Sequence, residues 1–209
     1  MTDQLPINAK TIKLACRLLR EGDVVAFPTD TVYGLGANAF ERFAVSQIFA
    51  VKQRPPDKAL PVFITELSDL SLVARQVPNK AWAFLQKFWP GALTVVLPKN
   101  SQLPPELTCG QETIAIRIPD HPTCLELVRR VGRPLAVTSA NLSGKPTPRT
   151  AQEVATQLNG RLPLILDGGA SPAEVPSTIV DLSVTPPRML RVGKLSFEEL
   201  REFLPDVVR

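Results

Sequence analysis

Along most of this 209-residue chain, short apolar runs of strand character alternate with segments of helical spacing. That alternation admits few architectures. Residues 8–21 read as a helix: Asn8 can cap it, Ile12, Ala15, Cys16, Leu18 and Leu19 make one apolar face, and Gly22 stops it. "VVAFP" reads as a strand, "TDTVYGLGANAF" as a turn-rich crossing whose two glycines relax the backbone, and "ERFAVSQIFAVK" as a helix. "LPVFIT" is strand-like, and helical segments near 68–75 and 79–88 follow. "ALTVVL" and "TIAIRI" are strands separated by a polar, proline-bearing loop. Then come the helix "TCLELVRRVG", the strand "PLAVTSA", the helix "TAQEVATQL", and the strands "LPLILDGG", "STIVDL" and "RMLRVG". A last helix starts at Ser196, with Glu199 placed for a capping box.

The pattern predicts an α/β domain. The pairs "ALTVVL"/"TIAIRI" and "STIVDL"/"RMLRVG" lack room for a helical crossover, so they are expected antiparallel and the sheet mixed. No repeat and no long linker divides the chain. One domain is expected over 1–209, its core at about 10–195 and a short C-terminal helix at 196–204. The 21 prolines, about twice the usual share, punctuate short segments such as "RPPDK" and "LPPEL" and form no low-complexity tract.

Several classes are disfavoured. No apolar run approaches the roughly 18 residues of a membrane span, and "MTDQLPINAK" has no apolar core of a secretory signal. Cys16, Cys109 and Cys124 are widely spaced, odd in number and without a CxxC. A reduced cytoplasmic setting is expected, with neither a disulfide framework nor a zinc site. GxxxxGK[ST] and G-x-S-x-G are both missing. The single histidine, His121, stands before Pro122 and reads as a helix start, which leaves little material for a triad or a His-based metal site. The net charge of +4 suits an anionic ligand or weak contact with RNA.

Polar groups collect where strands give way to loops, the place where open α/β sheets build their sites. The first cluster is Thr29, Asp30, Thr31 and Tyr33; the second is Lys52, Arg54 and Lys58 in "KQRPPDKAL". The third is Ser139, Asn141 and Ser143 in "TSANLSGK", and the fourth Ser177 and Thr178. Arg117 ends "TIAIRI" and Arg191 stands in "LRVG". Hydroxyls, an amide and cations without a cysteine or histidine partner suit phosphate and carboxylate binding. Read singly, each cluster is equally a solvated loop or a strand-end turn. Pro55 and Pro56 weigh against that for Arg54, because they restrict where its side chain can point.

Taken together, "FPTDTVYGLGANA", "KQRPPDKALPVFI" and "VTSANLSG", in this order, resemble the YrdC-like family of L-threonylcarbamoyladenylate synthases. "FWPGALTVVL", "TIAIRIPDHP", "PSTIVDL" and "LRVGKL" also resemble family segments, and the similarity extends over about residues 10–195, in the single-domain form. It implies a twisted mixed sheet with a basic cleft. It also implies an activity joining L-threonine, bicarbonate and ATP into threonylcarbamoyl-AMP and pyrophosphate, for the threonylcarbamoyladenosine modification of tRNA by downstream transferase proteins. Mg²⁺ would enter on the nucleotide. By motif position, Lys52, Arg54, Ser139 and Asn141 would be the catalytic set. Lys52, Arg54, Lys58, Ser139, Asn141 and Arg191 would contact ATP, and Thr31, Thr113, Arg117 and Ser177 would contact threonine. Tyr33 would shape the pocket wall.

One position departs from the pattern: Phe63 stands where many members carry a histidine near the amino acid, and Ala59 where proline is expected. Two other readings compete. One is a non-catalytic module for tRNA or double-stranded RNA, against which stand the modest charge and the 6% aromatic content. The other is a carbamoyl-adenylate-forming relative that uses carbamoyl phosphate.

Overall fold

The computed structural model describes residues 1–172 and 175–209. In chain order the strands and helices are β1 (Asp3–Pro6), α1 (Ala9–Arg20), β2 (Val25–Pro28), β3 (Tyr33–Asn38), α2 (Arg42–Lys52), β4 (Val62–Phe63), α3 (Leu70–Val73), α4 (Ala81–Phe88) and β5 (Leu93–Pro98). They continue with α5 (Pro105–Thr108), β6 (Thr113–Arg117), α6 (Pro122–Val131), β7 (Leu135–Ser139), α7 (Ala151–Leu158), β8 (Leu164–Asp167), β9 (Thr178–Asp181), β10 (Arg188–Arg191) and α8 (Phe197–Phe203).

The helix boundaries have local causes. The Asn8 side chain accepts from the amides of Lys10 and Thr11, and Thr11 Oγ1 accepts from the Asn8 amide, which closes the start of α1. At Gly22 the chain turns away with φ of +91°, a region open to glycine. His121 precedes α6 and Pro122 occupies its first turn. Ser196 and Glu199 cap α8 reciprocally.

Among the described residues the strands form one ten-stranded mixed sheet in the order β1-β8-β2-β3-β7-β4-β6-β5-β9-β10. The two neighbouring pairs β5/β6 and β9/β10 are antiparallel, as expected; β9 and β10 are joined by a short connection, whereas the one between β5 and β6 is longer and carries α5. β1 was not foreseen. Its "DQLP" has no apolar alternation, and it joins the edge by parallel pairing with β8.

The segment after Pro28 is the main correction. Thr29–Val32 is the turn, and Tyr33–Asn38 is a strand with all six residues buried. Gly34 and Gly36 are there for space rather than to relax the backbone. A Cβ on Gly36 would stand 2.6 Å from Phe27 Cε1, and one on Gly34 would stand 2.8 Å from Val137 Cγ1. "LPVFIT" contributes only Val62–Phe63 to the sheet. The helix expected near 68–75 is a 3₁₀ turn, Leu67–Asp69, leading into α3.

Side-chain alternation along each strand separates two apolar layers. One face packs Leu35, Val62, Val95, Ile116 and Val180 against Ile48, Phe84, Val154 and Leu200 from the helices. The other packs Phe27, Val137 and Leu166 against Ile12 and Leu19 of α1 and Leu127 and Val131 of α6. This second layer ends at Phe63 and Val137. Beyond them the same face of β6, β5, β9 and β10 is lined by Ala115, Arg117, Thr94, Ile179 and Arg191, which border a hollow.

Candidate functional site

The hollow has a volume of about 450 Å³ and gathers Thr31, Arg54, Arg117, Ser139, Ser177 and Arg191 from six separate segments. Its geometry follows from the sheet: residues alternate between the helix-covered apolar layer and this open face.

Arg117 is only 4% exposed, so its charge interacts in a poorly screened setting. Its Nε donates to the Gly91 carbonyl at 2.8 Å, Nη1 to Thr31 Oγ1 at 3.3 Å, and Nη2 to Asp30 Oδ2 at 2.5 Å. The Phe63 ring lies beneath it, 5.8 Å from centroid to guanidinium carbon. Burial pushes the Arg117 pKa down and Asp30 opposes that shift. The guanidinium stays protonated because its ordinary value lies so far above neutrality. Asp30 Oδ1 is buried without a hydrogen-bond partner among the described residues. Thr29 shapes this turn: its Oγ1 donates to the Val32 carbonyl and accepts from the amides of Thr31 and Val32.

Lys52 does not line the hollow. It is 1% exposed, and its Nζ donates to the carbonyls of Ser139 and Asn141, the latter at 2.7 Å, and to Asn141 Oδ1 at 3.3 Å. Its own carbonyl accepts from the Ser143 amide at 2.9 Å. All three ammonium donors are thereby directed at the turn after β7. Burial, reinforced by Arg54, lowers its pKa to about 7. Asn141 is buried as well, and its Nδ2 donates to the Leu142 and Lys145 carbonyls, both at 2.8 Å. Ser139 is the member of this turn that faces the hollow.

Arg54 reaches the hollow from a loop it braces itself. Gln53, with φ of +51°, turns the chain out of α2. Arg54 Nε then donates to the Lys58 carbonyl and Nη2 to the Ala59 carbonyl, each at 2.9 Å. Burial lowers its pKa, with Cys109 and Asp57 opposing. Lys58 contributes its carbonyl to this brace, while its side chain is exposed and outside the lining.

On the far strands, Ser177 Oγ and Thr94 Oγ1 are 2.8 Å apart. Arg191 clamps Ser177, with Nε donating to its carbonyl at 3.0 Å and Nη2 to its Oγ at 3.1 Å. Thr113 starts β6 opposite Pro98 and lies outside the lining, two residues along the strand from Ala115. Tyr33 points into the opposite apolar layer, where its hydroxyl donates to the Gly169 carbonyl at 2.7 Å. Thr94, Thr138, Thr147, Ala115 and Ile179 line the hollow and were not singled out from sequence. For Thr94, Ala115 and Ile179 a usable signal was present, since they alternate with the core residues of their strands.

A family model described as telomere recombination, the Sua5/YciO/YrdC domain, matches residues 17–193. The threonylcarbamoyl-AMP synthase of Bacillus subtilis is 48% identical over 201 residues, covering 96% of this chain and 58% of that protein. The threonylcarbamoyl-AMP synthase of Pyrococcus abyssi is 43% identical, covering 94% of this chain and 58% of the relative. The chain therefore spans 58% of the length of these two relatives. A solved structure of P. abyssi Sua5 complexed with L-threonine superposes with a TM-score of 0.93 at 41% identity, covering 100% of this chain and 62% of the other.

Proposed function

The chain belongs to the Sua5/YciO/YrdC family, and from that premise we propose that it is a threonylcarbamoyl-AMP synthase, a nucleotidyltransferase acting in the cytoplasm. It would form L-threonylcarbamoyl-AMP and pyrophosphate from L-threonine, bicarbonate and ATP. Downstream transferase proteins would use the adenylate to modify tRNA. Residues 1–209 act as one unit in this reading, with about 10–195 carrying the site. Among the described residues no helix is long and apolar enough to cross a membrane.

The observation that carries the proposal is the convergence of Arg54, Arg117 and Arg191, remote in sequence, on one hollow with Thr31, Ser139 and Ser177. Two negatively charged reactants need such a set. The threonine carboxylate binds Arg117 beside Thr31 and Ser177, and the triphosphate binds Arg54 and Arg191 near Ser139. The deprotonated amine of threonine adds to bicarbonate, forming a carbamate and releasing water. A carbamate oxygen then attacks the α-phosphorus, and the bond to the departing pyrophosphate breaks. The attacking group is already an anion, so the chain needs no general base for that step. Its task is positioning and charge neutralisation.

Lys52 and Asn141 enter this scheme by fixing the turn that presents Ser139. Mg²⁺ would enter on the triphosphate, where it would neutralise phosphate charge and ease the departure of pyrophosphate. Lys58 and Thr113 lie outside the lining of the hollow; in this reading their side chains reach ATP and threonine when the ligands bind.

Pyrophosphate release measured with threonine, with serine and without amino acid, each with and without bicarbonate, tests the reading. Release that depends on both threonine and bicarbonate is expected. Release independent of either one refutes it.

A further inference from the structure

Positive charge also gathers on an outer face that the site does not use. Lys10, Lys13, Arg17 and Arg20 recur every three or four residues along α1, and all four are exposed. At 3.6 residues per turn they fall within about 80° of arc and extend about 15 Å along the axis. They border an open groove of about 540 Å³, in whose lining Glu21 is the one acid among the described residues. The end of α6 prolongs the row. Arg20 Nη2 donates to the Arg130 carbonyl and Nε to the Val131 carbonyl at 3.4 Å, which brings the exposed Arg130 and Arg133 to the end of α1.

Helix stability does not account for this row. Arg17 and Arg20 suit the C-terminal end of the helix dipole, but Lys10 opposes it, in a first turn that holds no acid. Lys10 and Lys13, Lys13 and Arg17, and Arg17 and Arg20 are like-charge neighbours at i,i+3 or i,i+4, where repulsion destabilises a helix. Among the described residues the four α1 cations form no ion pair; Arg130 has one, with Glu126 at 2.8 Å.

The face is remote from the hollow. Ser139 borders the hollow at one end of β7, and Leu135 begins the other end, about 13 Å away at strand spacing, two residues after Arg133. The Arg133 guanidinium carbon lies 5.6 Å from the centroid of the Phe40 ring. Phe43, 66% exposed, stands beside Gly22, where an added Cβ would be 3.7 Å from its Cδ1.

We infer that this face docks RNA, with the cations on phosphates and Phe43 against an unpaired base; the choice of RNA rests on the tRNA-directed reading above. A row of cations with no apolar centre fits a phosphodiester backbone. Four of the six are arginines, whose planar fork matches phosphate. An exposed ring at the end of the row offers an unpaired base a surface for stacking. The apolar side of α1, Ile12, Ala15, Cys16 and Leu19, is buried in the core, so the helix has nothing to insert into a lipid surface.

The test measures binding of an unmodified tRNA transcript to the full chain over a salt series, beside a DNA duplex of similar mass and phosphatidylserine vesicles. Affinity should fall with salt at a log–log slope of about −3 or steeper, from four or more phosphate contacts. Lys13→Gln/Arg17→Gln retains good helix formers. It should weaken tRNA binding by about 10-fold or more at low salt and lower the slope by about 1.5. Arg133→Gln, outside α1, should lower it by about 1. Pyrophosphate release by both variants should match the natural chain, and saturating ATP should not displace tRNA. Unchanged tRNA affinity in both variants, displacement by ATP, or tighter binding to the DNA duplex or the vesicles than to tRNA overturns the inference and leaves the parent reading intact. Absence of pyrophosphate release from the natural chain overturns the parent reading, and the tRNA titrations still decide the docking face.

Discussion

Lys52 Nζ and Asn141 meet twice: the ammonium donates to the backbone carbonyl of Asn141 at 2.7 Å and to its side-chain Oδ1 at 3.3 Å. The last residue of α2 thereby holds the turn after β7 from beneath. Two segments 89 residues apart are joined by a cation that, among the described residues, has carbonyl acceptors and no acidic partner.

This pairing predicts a pH dependence of stability. Burial and Arg54 hold Lys52 at a pKa of about 7 against an ordinary 10.5. Between those values the unfolded chain binds the extra proton, so stability rises with pH across the window. Relative to Lys52→Met, the natural chain should gain about 2 kcal/mol between pH 7 and pH 9. Urea unfolding of both at the two pH values measures the difference. Parallel profiles would show that residue 52 stays charged throughout.

Arg54→Ala should lower kcat/KM for ATP by about 10- to 150-fold, the equivalent of one charge-assisted hydrogen bond of about 1.5–3 kcal/mol. The lost brace across the loop acts in the same direction. Circular dichroism should be unchanged. Native kinetics in the folded variant would remove Arg54 from the site.

Asp30→Ala should destabilise the chain by about 3–5 kcal/mol, because it leaves the buried Arg117 guanidinium without its carboxylate. Asp30→Asn keeps an acceptor for Arg117 Nη2, so it should lose less stability and raise the KM for threonine more than it lowers kcat. Denaturant midpoints and steady-state kinetics of the two variants separate these effects. Equal stabilities would show that the ion pair contributes little.

Gly36→Ala should destabilise by about 1–3 kcal/mol by overpacking, since the new Cβ would stand 2.6 Å from Phe27 Cε1 in the core. A Phe27→Leu background should recover part of the loss. A neutral Gly36→Ala change would mean that the ring can move aside.

The amino-acid sequence by itself determined the α/β class, the two antiparallel strand pairs, the capped starts of α1 and α8, and the set of hydroxyls and cations from which the candidate site is assembled. Those features depend on neighbours a few residues apart: apolar period, cap chemistry and connection length. Only the tertiary structure decided which of them share a space. Strand order placed Arg54, Arg117 and Arg191 around one hollow and turned Tyr33 to the other layer. It also buried Lys52 beneath the turn it supports. Gly34 and Gly36 show the reason most plainly: as letters they read as loosening a turn, whereas in the sheet they leave room for Phe27 and Val137, and that need exists only once the strands have paired.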